Sequence, residues 1–257
     1  MFPKKIFQTW KQKTIEDKTL QSWQQSWIDL NKNYEYELWD DAENRRFIET
    51  NYPDFLSIYD GYNVNIKRVD AVRYFYLLKN GGIYADLDFI CLRPFDSLLE
   101  NIDSDVILGS MGEDEIVDSK KELNFLHNIP NAIMIAKPNS DFFSFVTNML
   151  YYTWKNPNLG PEATTGPIFL KVCILSYTSK VWPDFANFLY NANIFEEIQH
   201  KFSFASKILI APPAVFYPLN WNNERLMQKR SEIFKNVDLL KLQFPFSFAV
   251  TFWMHSW

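Results

Sequence analysis

The chain is poor in the residues that build disulfide scaffolds, flexible linkers and histidine centres. Its 257 residues include 2 cysteines, 7 glycines and 3 histidines. Cys91 and Cys173 lie in apolar stretches, which predicts buried reduced thiols rather than a disulfide or a metal pair. So few histidines argue against a histidine metal cluster and a serine–histidine triad. Without a Gly/Ser linker or a repeat, a single continuous domain is the simplest prediction.

Long apolar runs and an excess of basic charge are also missing. No stretch approaches the ~18 apolar residues of a membrane span, and residues 1–5 lack the apolar core of a signal peptide. We therefore expect a cytoplasmic protein, with at most peripheral membrane contact. The 26 basic and 31 acidic residues give a net charge of -5, which argues against nucleic acid as a partner. Composition leaves the oligomeric state open.

Aromatic residues are abundant, at 18% of the chain. Such an excess indicates either a heavily aromatic core or an apolar surface beneath a ring-shaped ligand or a membrane. Composition alone leaves both alternatives open.

Hydrophobic periodicity predicts an α/β chain. Residues 5–10 and 34–39 have the pattern of strands, residues 20–30 have the apolar stripe of a helix, and Asp40-Asp41 are natural caps for the next helix. This order of elements is typical of a parallel sheet. Later predicted elements are a helix over 68–78 ended by Gly81-Gly82, strands over 83–91, 131–136, 208–210 and 246–252, a helix over 141–154, and a mobile loop over 112–126.

An acidic pair lies in the predicted strand 83–91. Because side chains alternate along a strand, Asp86 and Asp88 are expected on one face, roughly 7 Å apart. Two carboxylates in so apolar a run need a positive partner, and a hard divalent cation such as Mg²⁺ or Mn²⁺ prefers oxygen ligands. Such an ion would neutralise a diphosphate leaving group. The alternative is a pair of solvated carboxylates on an edge strand.

A second charged pair lies on the helix before this strand. Asp70 and Arg73 are three residues apart and therefore share a helix face. A carboxylate accepts hydrogen bonds from sugar hydroxyls and a guanidinium binds anions, so the pair fits a sugar-phosphate site. An ordinary surface ion pair is the alternative. If the pair forms a sugar-phosphate site, replacing either residue by alanine is expected to abolish catalysis while leaving the fold largely intact.

The order of these motifs resembles a known family. The motifs are Arg68-x-Asp70-x-x-Arg73-Tyr74, Leu77, Gly81-Gly82-Ile83-Tyr84, Asp86-x-Asp88 and Leu92-Arg93-Pro94, with further similar segments at 3–10, 36–41 and 164–167. They are similar to the glycosyltransferases with a sugar-binding Asp-x-Asp motif, family 32. This family includes fungal α-1,6-mannosyltransferases, mannosyl-inositol-phosphoceramide synthases and bacterial capsule enzymes.

The resemblance implies an α/β fold of the GT-A type, with a Rossmann-like half and a mixed central sheet flanked by helices. Residues 1–257 would form one domain, with roughly 1–100 as the nucleotide-sugar half and 101–257 as the acceptor half and C-terminal lid. The implied activity is metal-dependent, retaining transfer of a hexose from a nucleotide-sugar to a glycan, glycolipid or protein acceptor. Mannose from GDP-mannose is favoured, and a UDP-hexose comes second.

Site residues are implied motif by motif. Asp70, Arg73, Asp86 and Asp88 form the catalytic set, and Asp86 and Asp88 are also implied ligands of Mn²⁺ or Mg²⁺. The implied contacts with the nucleotide-sugar are Gln8, Thr9, Trp10, Asp70, Arg73, Tyr84, Ala85, Asp86, Asn131, Ser256 and Trp257.

The chain departs from the family near its C-terminus. The family usually has a metal-binding histidine where Thr251 stands, and we expect His255 to replace it, with residues 252–257 folding over the donor. If metal binding is lost instead, the alternative is a non-catalytic nucleotide-sugar-binding protein. A phosphohydrolase that uses Asp-x-Asp ranks last, because Phe89 stands where such enzymes need Thr or Val.

Overall fold

The computed structural model describes residues 1–112, 128–156, 158–190, 193–219 and 237–254. The strands are β1 (Lys5–Thr9), β2 (Glu35–Trp39), β3 (Gly82–Ala85), β4 (Phe89–Cys91), β5 (Val106–Gly109), β6 (Ile133–Ala136), β7 (Ile208–Ala211) and β8 (Ala249–Thr251). The α-helices are α1 (Lys18–Leu30), α2 (Asp41–Asn51), α3 (Pro53–Gly61), α4 (Asn65–Asn80), Asp96–Leu99, Asp141–Thr153, Pro161–Thr164, Pro167–Ser179, Asn193–Ile198, Pro213–Phe216 and Val237–Gln243, and short 3₁₀ helices span Asp184–Phe188 and Gln199–Lys201.

Six strands form a mixed sheet in the order β2-β1-β3-β6-β5-β7, and β4 pairs with β8 in a separate antiparallel ribbon. β1 is parallel to both β2 and β3, whereas β6 is antiparallel to its two neighbours. Helices α1 to α4 make the crossovers between the parallel strands, as such connections require. The predicted α/β architecture with a mixed central sheet flanked by helices is confirmed.

Both faces of the sheet are buried. On β1, Ile6 and Phe7 point into different core clusters, and Ile83 and Tyr84 repeat this alternation on β3. Rings fill much of the interior: Phe7 stacks on Tyr76 with a centroid distance of 3.9 Å. The aromatic excess is therefore largely explained by the core.

The helix before β3 ends where the sequence predicts. α4 stops at Asn80, and Gly81 and Gly82 follow with positive φ of 64° and 89°. A Cβ at Gly82 would lie 2.6 Å from the Lys5 carbonyl oxygen, so β1 and β3 approach closely only because this side chain is absent.

Several sequence predictions can be compared with these elements. The helix predicted over 141–154 is present and begins at the Ser140 cap, whose hydroxyl accepts from the Phe143 N–H. Cys91 and Cys173 are buried and free, as predicted. The final strand is shorter than predicted, since only 249–251 pair with β4. The predicted loop 112–126, apart from its first residue, and residues 255–257 lie outside the described part of the chain.

Candidate active site at the strand ends

Three parallel strands end side by side. β1 ends at Thr9, β2 at Trp39 and β3 at Ala85. Thr9 pairs with Trp39, and the N–H of Trp10 donates to the Trp39 carbonyl at 3.0 Å. The residues that follow these ends therefore meet along one edge, which is where open α/β sheets bind ligands.

The strand predicted over 83–91 is interrupted, so the prediction that Asp86 and Asp88 share one strand face is wrong. β3 ends before Asp86 and β4 begins at Phe89, whose N–H donates to the Asp86 carbonyl at 3.1 Å. Gln8 Nε2 donates to the same carbonyl at 3.1 Å, and the Asp86 N–H donates to the Ala132 carbonyl at 2.8 Å. These distant partners hold residues 86–88 as a turn.

The turn separates two lobes of a cleft. One lobe, which we call the tryptophan lobe, has a volume of about 330 Å³ and is lined by Thr9, Trp10, Lys11, Asp41, Val64, Asn65, Ile66, Val69 and Leu87. The other, the arginine lobe, has a volume of about 390 Å³; its lining includes Asp70, Arg73, Asn131, Glu162, Thr251 and Trp253. Asp86 and Asp88 line both lobes, so the acidic turn is common to the two cavities.

Arg73 is a buried lining residue of the arginine lobe and contacts two carboxylates. Its guanidinium is 3.1 Å from Asp86 Oδ1 and 3.2 Å from Asp70 Oδ1, with the side chain only 1% exposed. It also donates to the Asn131 carbonyl at 2.8 Å and lies 4.5 Å from the centre of the Tyr84 ring. The surface ion pair considered from the sequence is therefore a buried network with two carboxylates.

Asp86 has two side-chain partners in this network. Its carboxylate accepts a hydrogen bond from the Tyr84 hydroxyl in addition to the contact with Arg73. Burial raises its pKa to about 7, against the lowering influence of Arg73 and with a further rise from Asp88. Additional positive charge near this carboxylate would therefore be favourable.

Asp70 is fixed by neighbours from two other parts of the chain. Asn131 Nδ2 donates to its Oδ1 at 3.0 Å, and Thr165 Oγ1 donates to its Oδ2 at 3.2 Å. Burial raises the pKa of Asp70, while Arg73 and these two donors oppose that rise. A Cβ on Gly166 would lie 3.3 Å from Asp70 Oδ2, so the segment after Thr165 also packs closely on this carboxylate.

Asp88 is more accessible than Asp86 and connects the turn to the C-terminal segment. Its Oδ2 accepts from the Met254 N–H at 3.0 Å. Thr251, which stands where the family usually has histidine, lines the same lobe, but its hydroxyl accepts from the Trp253 N–H at 3.1 Å. Asp88 is thus the carboxylate best placed at the junction of the two lobes.

The predicted site residues fall into three groups. Thr9, Trp10, Asp70, Arg73, Asp86, Asp88 and Asn131 line the cleft. Gln8, Tyr84 and Ala85 are completely buried and line neither lobe; they support the turn from below. His255, Ser256 and Trp257 lie outside the described residues.

Four polar lining residues are given no site role by the sequence analysis. Lys11, Asp41 and Asn65 line the tryptophan lobe, and Glu162 lines the arginine lobe. Asp41 lies two residues beyond the end of β2, and this position relative to a parallel strand could have identified it. Glu162 belongs to a short helix with no such signal.

Sequence comparisons relate part of the chain to known proteins. Residues 17–105 match the family described as "Glycosyltransferase sugar-binding region containing DXD motif". Inositol phosphoceramide mannosyltransferase 3 of Schizosaccharomyces pombe is 55% identical over 97 residues, which are 38% of this chain and 27% of that protein. Mannosyl phosphorylinositol ceramide synthase CSH1 of Saccharomyces cerevisiae is 33% identical over 189 residues, which are 72% of this chain and 45% of that protein.

Over residues 17–105, which include the acidic turn, the chain is similar to the glycosyltransferases whose sugar-binding region contains a DXD motif. It spans less than half the length of the two curated relatives described above. A solved structure described as "PaToxG Glycosyltransferase" is 14% identical, with a TM-score of 0.48, and the match covers 96% of this chain and 89% of that one.

Within the described ranges, no helix combines the length and the apolar character needed to cross a bilayer.

Proposed function

We propose that the chain is a metal-dependent, retaining hexosyltransferase that takes its sugar from a nucleotide-sugar. The observation that carries this proposal is a cleft whose two lobes meet at Asp86 and Asp88. A nucleotide-sugar has two dissimilar ends joined by a diphosphate, and the cleft has two dissimilar lobes joined by an acidic turn. Mannose from GDP-mannose is the favoured donor, since the relatives include mannosyltransferases, and a UDP-hexose is second.

The tryptophan lobe is suited to the nucleoside. The half-buried Trp10 offers a ring face, and Val64, Ile66 and Val69 make the lining largely apolar. Planar bases stack on aromatic side chains. Lys11, whose ammonium lies 5.3 Å from the Trp10 ring centre, places a positive charge near the same lobe.

The arginine lobe is suited to the sugar. Asp70 and Asn131 are locked together by a hydrogen bond at 3.0 Å, so they present polar groups in a fixed geometry. Carboxylates and amides hydrogen-bond sugar hydroxyls. Pre-organised donors and acceptors need little rearrangement when charge develops in the transition state.

Asp88 would hold the divalent cation, Mn²⁺ or Mg²⁺, together with the diphosphate, while Asp86 supports the site from its contact with Arg73. The residues fit such an ion because carboxylate oxygens are hard ligands and Asp88 faces both lobes. No cluster of three or more His, Cys, Asp or Glu side chains with metal-binding geometry occurs among the described residues. When bound, the cation neutralises charge on the departing diphosphate. His255 stays our proposed additional ligand.

Retention of configuration is supported by the state of the buried carboxylates. Asp70 and Asp86 both contact Arg73 and accept hydrogen bonds from neighbouring side chains. A carboxylate so engaged is a poor nucleophile, which favours departure of the diphosphate and attack by the acceptor on the same face of the sugar.

A donor screen tests the proposal. Purified chain is incubated with GDP-mannose, UDP-glucose and UDP-galactose, with Mn²⁺ or with EDTA, and release of nucleoside diphosphate is measured. We expect release from one donor only when the metal is present. Failure of every nucleotide-sugar and nucleoside diphosphate to bind, measured in parallel by thermal shift, contradicts the proposal.

Replacing Trp10 by alanine is expected to weaken nucleoside diphosphate binding by about 1–3 kcal/mol, the usual contribution of stacking on an aromatic ring. Calorimetric titration measures the change. Trp154→Ala is the matched control, because this tryptophan is 42% exposed and does not line the cleft. Equal affinities for Trp10→Ala and the native chain would remove the ring from the base site.

A non-catalytic nucleotide-sugar-binding protein is the second candidate. Thr251 favours it, because its hydroxyl is a weaker metal ligand than the histidine usual in the family and is already engaged with the Trp253 N–H. Donor binding without turnover, in the presence of Mn²⁺ and candidate acceptors, would identify this function.

The acceptor is proposed as a glycan, a glycolipid or a protein. A glycolipid is supported by the relative named as an inositol phosphoceramide mannosyltransferase. Peripheral contact with a membrane and a cytoplasmic location stay predictions.

A further inference from the structure

We propose that Asp41 reads the hydrogen-bonding edge of the base and makes the tryptophan lobe selective for guanine. This inference rests on the proposed function, because it assumes that the lobe receives the nucleoside. It goes further by assigning the choice of base to one side chain.

Asp41 lies where a base that stacks on Trp10 would present its edge. Trp10 follows the end of β1 and Asp41 follows the end of the adjacent β2, and both line the tryptophan lobe. Asp41 does not cap α2. The neighbouring Asp40 does so, with its carboxylate accepting from the Glu43 N–H at 2.9 Å.

The Asp41 carboxylate is oriented before any ligand arrives. Asn65 Nδ2 donates to its Oδ2 at 2.9 Å, which restrains the group at the lobe wall. Burial raises the pKa of Asp41, and Asp40 adds to the rise, while the Asn65 hydrogen bond and Arg68 oppose it. A partly desolvated carboxylate gains from additional hydrogen-bond donors.

The base that supplies two adjacent donors is guanine. Its N1–H and exocyclic N2 amine lie side by side and match the two oxygens of one carboxylate. Uracil has a single N3–H between two carbonyl oxygens, so the second carboxylate oxygen would face another acceptor. The side chains of Val64, Ile66 and Val69 in the same lining are apolar and offer the base no hydrogen-bonding groups.

Inosine diphosphate separates this interaction from the others, because hypoxanthine differs from guanine only in lacking the N2 amine. Affinities for GDP, inosine diphosphate and UDP are measured by calorimetric titration with Mn²⁺, using the native chain, Asp41→Asn and Asp40→Asn. Asparagine caps a helix as well as aspartate does, so Asp40→Asn removes the adjacent charge and keeps the fold.

The native chain is expected to bind GDP about tenfold to a hundredfold more tightly than inosine diphosphate, the range for a hydrogen bond to a charged group. In Asp41→Asn this ratio should fall close to one. UDP should lose less affinity than GDP, because an amide offers one donor and one acceptor to the uracil edge. Asp40→Asn should keep the native ratio.

Other outcomes distinguish the role of Asp41 from the proposed transferase function. Tight binding of UDP over GDP by the native chain, or an unchanged ratio of GDP to inosine diphosphate in Asp41→Asn, overturns the role of Asp41 and leaves the transferase proposal intact. Absence of binding for all three nucleotides overturns both.

Discussion

Sugar transfer by Asp88→Asn is expected to fall at least about 100-fold, because the substitution removes a charged oxygen ligand from the junction of the two lobes. A metal ion contributes several kcal/mol to stabilising a departing diphosphate, and each 1.4 kcal/mol is a factor of ten in rate. The amide keeps the shape of the side chain, and its oxygen can still accept from the Met254 N–H. The loss should therefore appear in catalysis rather than in folding.

The measurement is the rate of nucleoside diphosphate release across a range of Mn²⁺ concentrations. Glu100→Gln is the matched control, because it removes one acidic charge at an exposed position outside the cleft. It should keep the native rate. Native activity of Asp88→Asn, or full activity of the unaltered chain in EDTA, contradicts a metal role for this carboxylate.

Arg73→Ala is expected to destabilise the fold by about 3–5 kcal/mol, since it leaves Asp70 and Asp86 buried without their positive partner. This differs from the expectation drawn from sequence, in which the fold survives loss of either Asp70 or Arg73. The difference follows from the 1% exposure of the Arg73 side chain, which sequence could not supply.

Thermal and urea unfolding measure this effect, and a melting temperature roughly 10 °C lower is expected at ~2–4 °C per kcal/mol. Arg45→Ala is the control: this arginine also contacts two carboxylates, those of Asp60 and Glu49, but on the surface. Exposed ion pairs contribute little to stability. If the two variants melt at the same temperature, the buried network does not support the fold.

The local elements were readily predictable. Periodicity and capping residues identified α1, α2 and β1 within a few residues, because local preferences and tertiary packing agree there. The break between β3 and β4 could not be predicted in this way. Residues 83–91 alternate like a strand, and the turn at 86–88 depends on hydrogen bonds from Gln8 and to Ala132, both distant in sequence.

The site was predicted in its chemistry more than in its geometry. Asp-x-Asp indicated an acidic centre, and Asp70 with Arg73 indicated a second cluster beside it. Their connection through Arg73 depends on how α4 packs beneath β3, which no local pattern encodes. Asp41 was interpreted only as a helix cap, because its position beside Trp10 follows from the pairing of β1 with β2.

The ribbon formed by β4 and β8 has a thermodynamic consequence. β4 follows the acidic turn directly, and β8 leads into the Met254 N–H that donates to Asp88. If a donor bound at the acidic turn favours the ordered segment around Met254, ordering of that segment favours donor binding by the same coupling free energy. A donor bound at the turn would then slow proteolysis of the segment around Met254. An antibody fragment that binds this segment would change donor affinity without contacting the cleft.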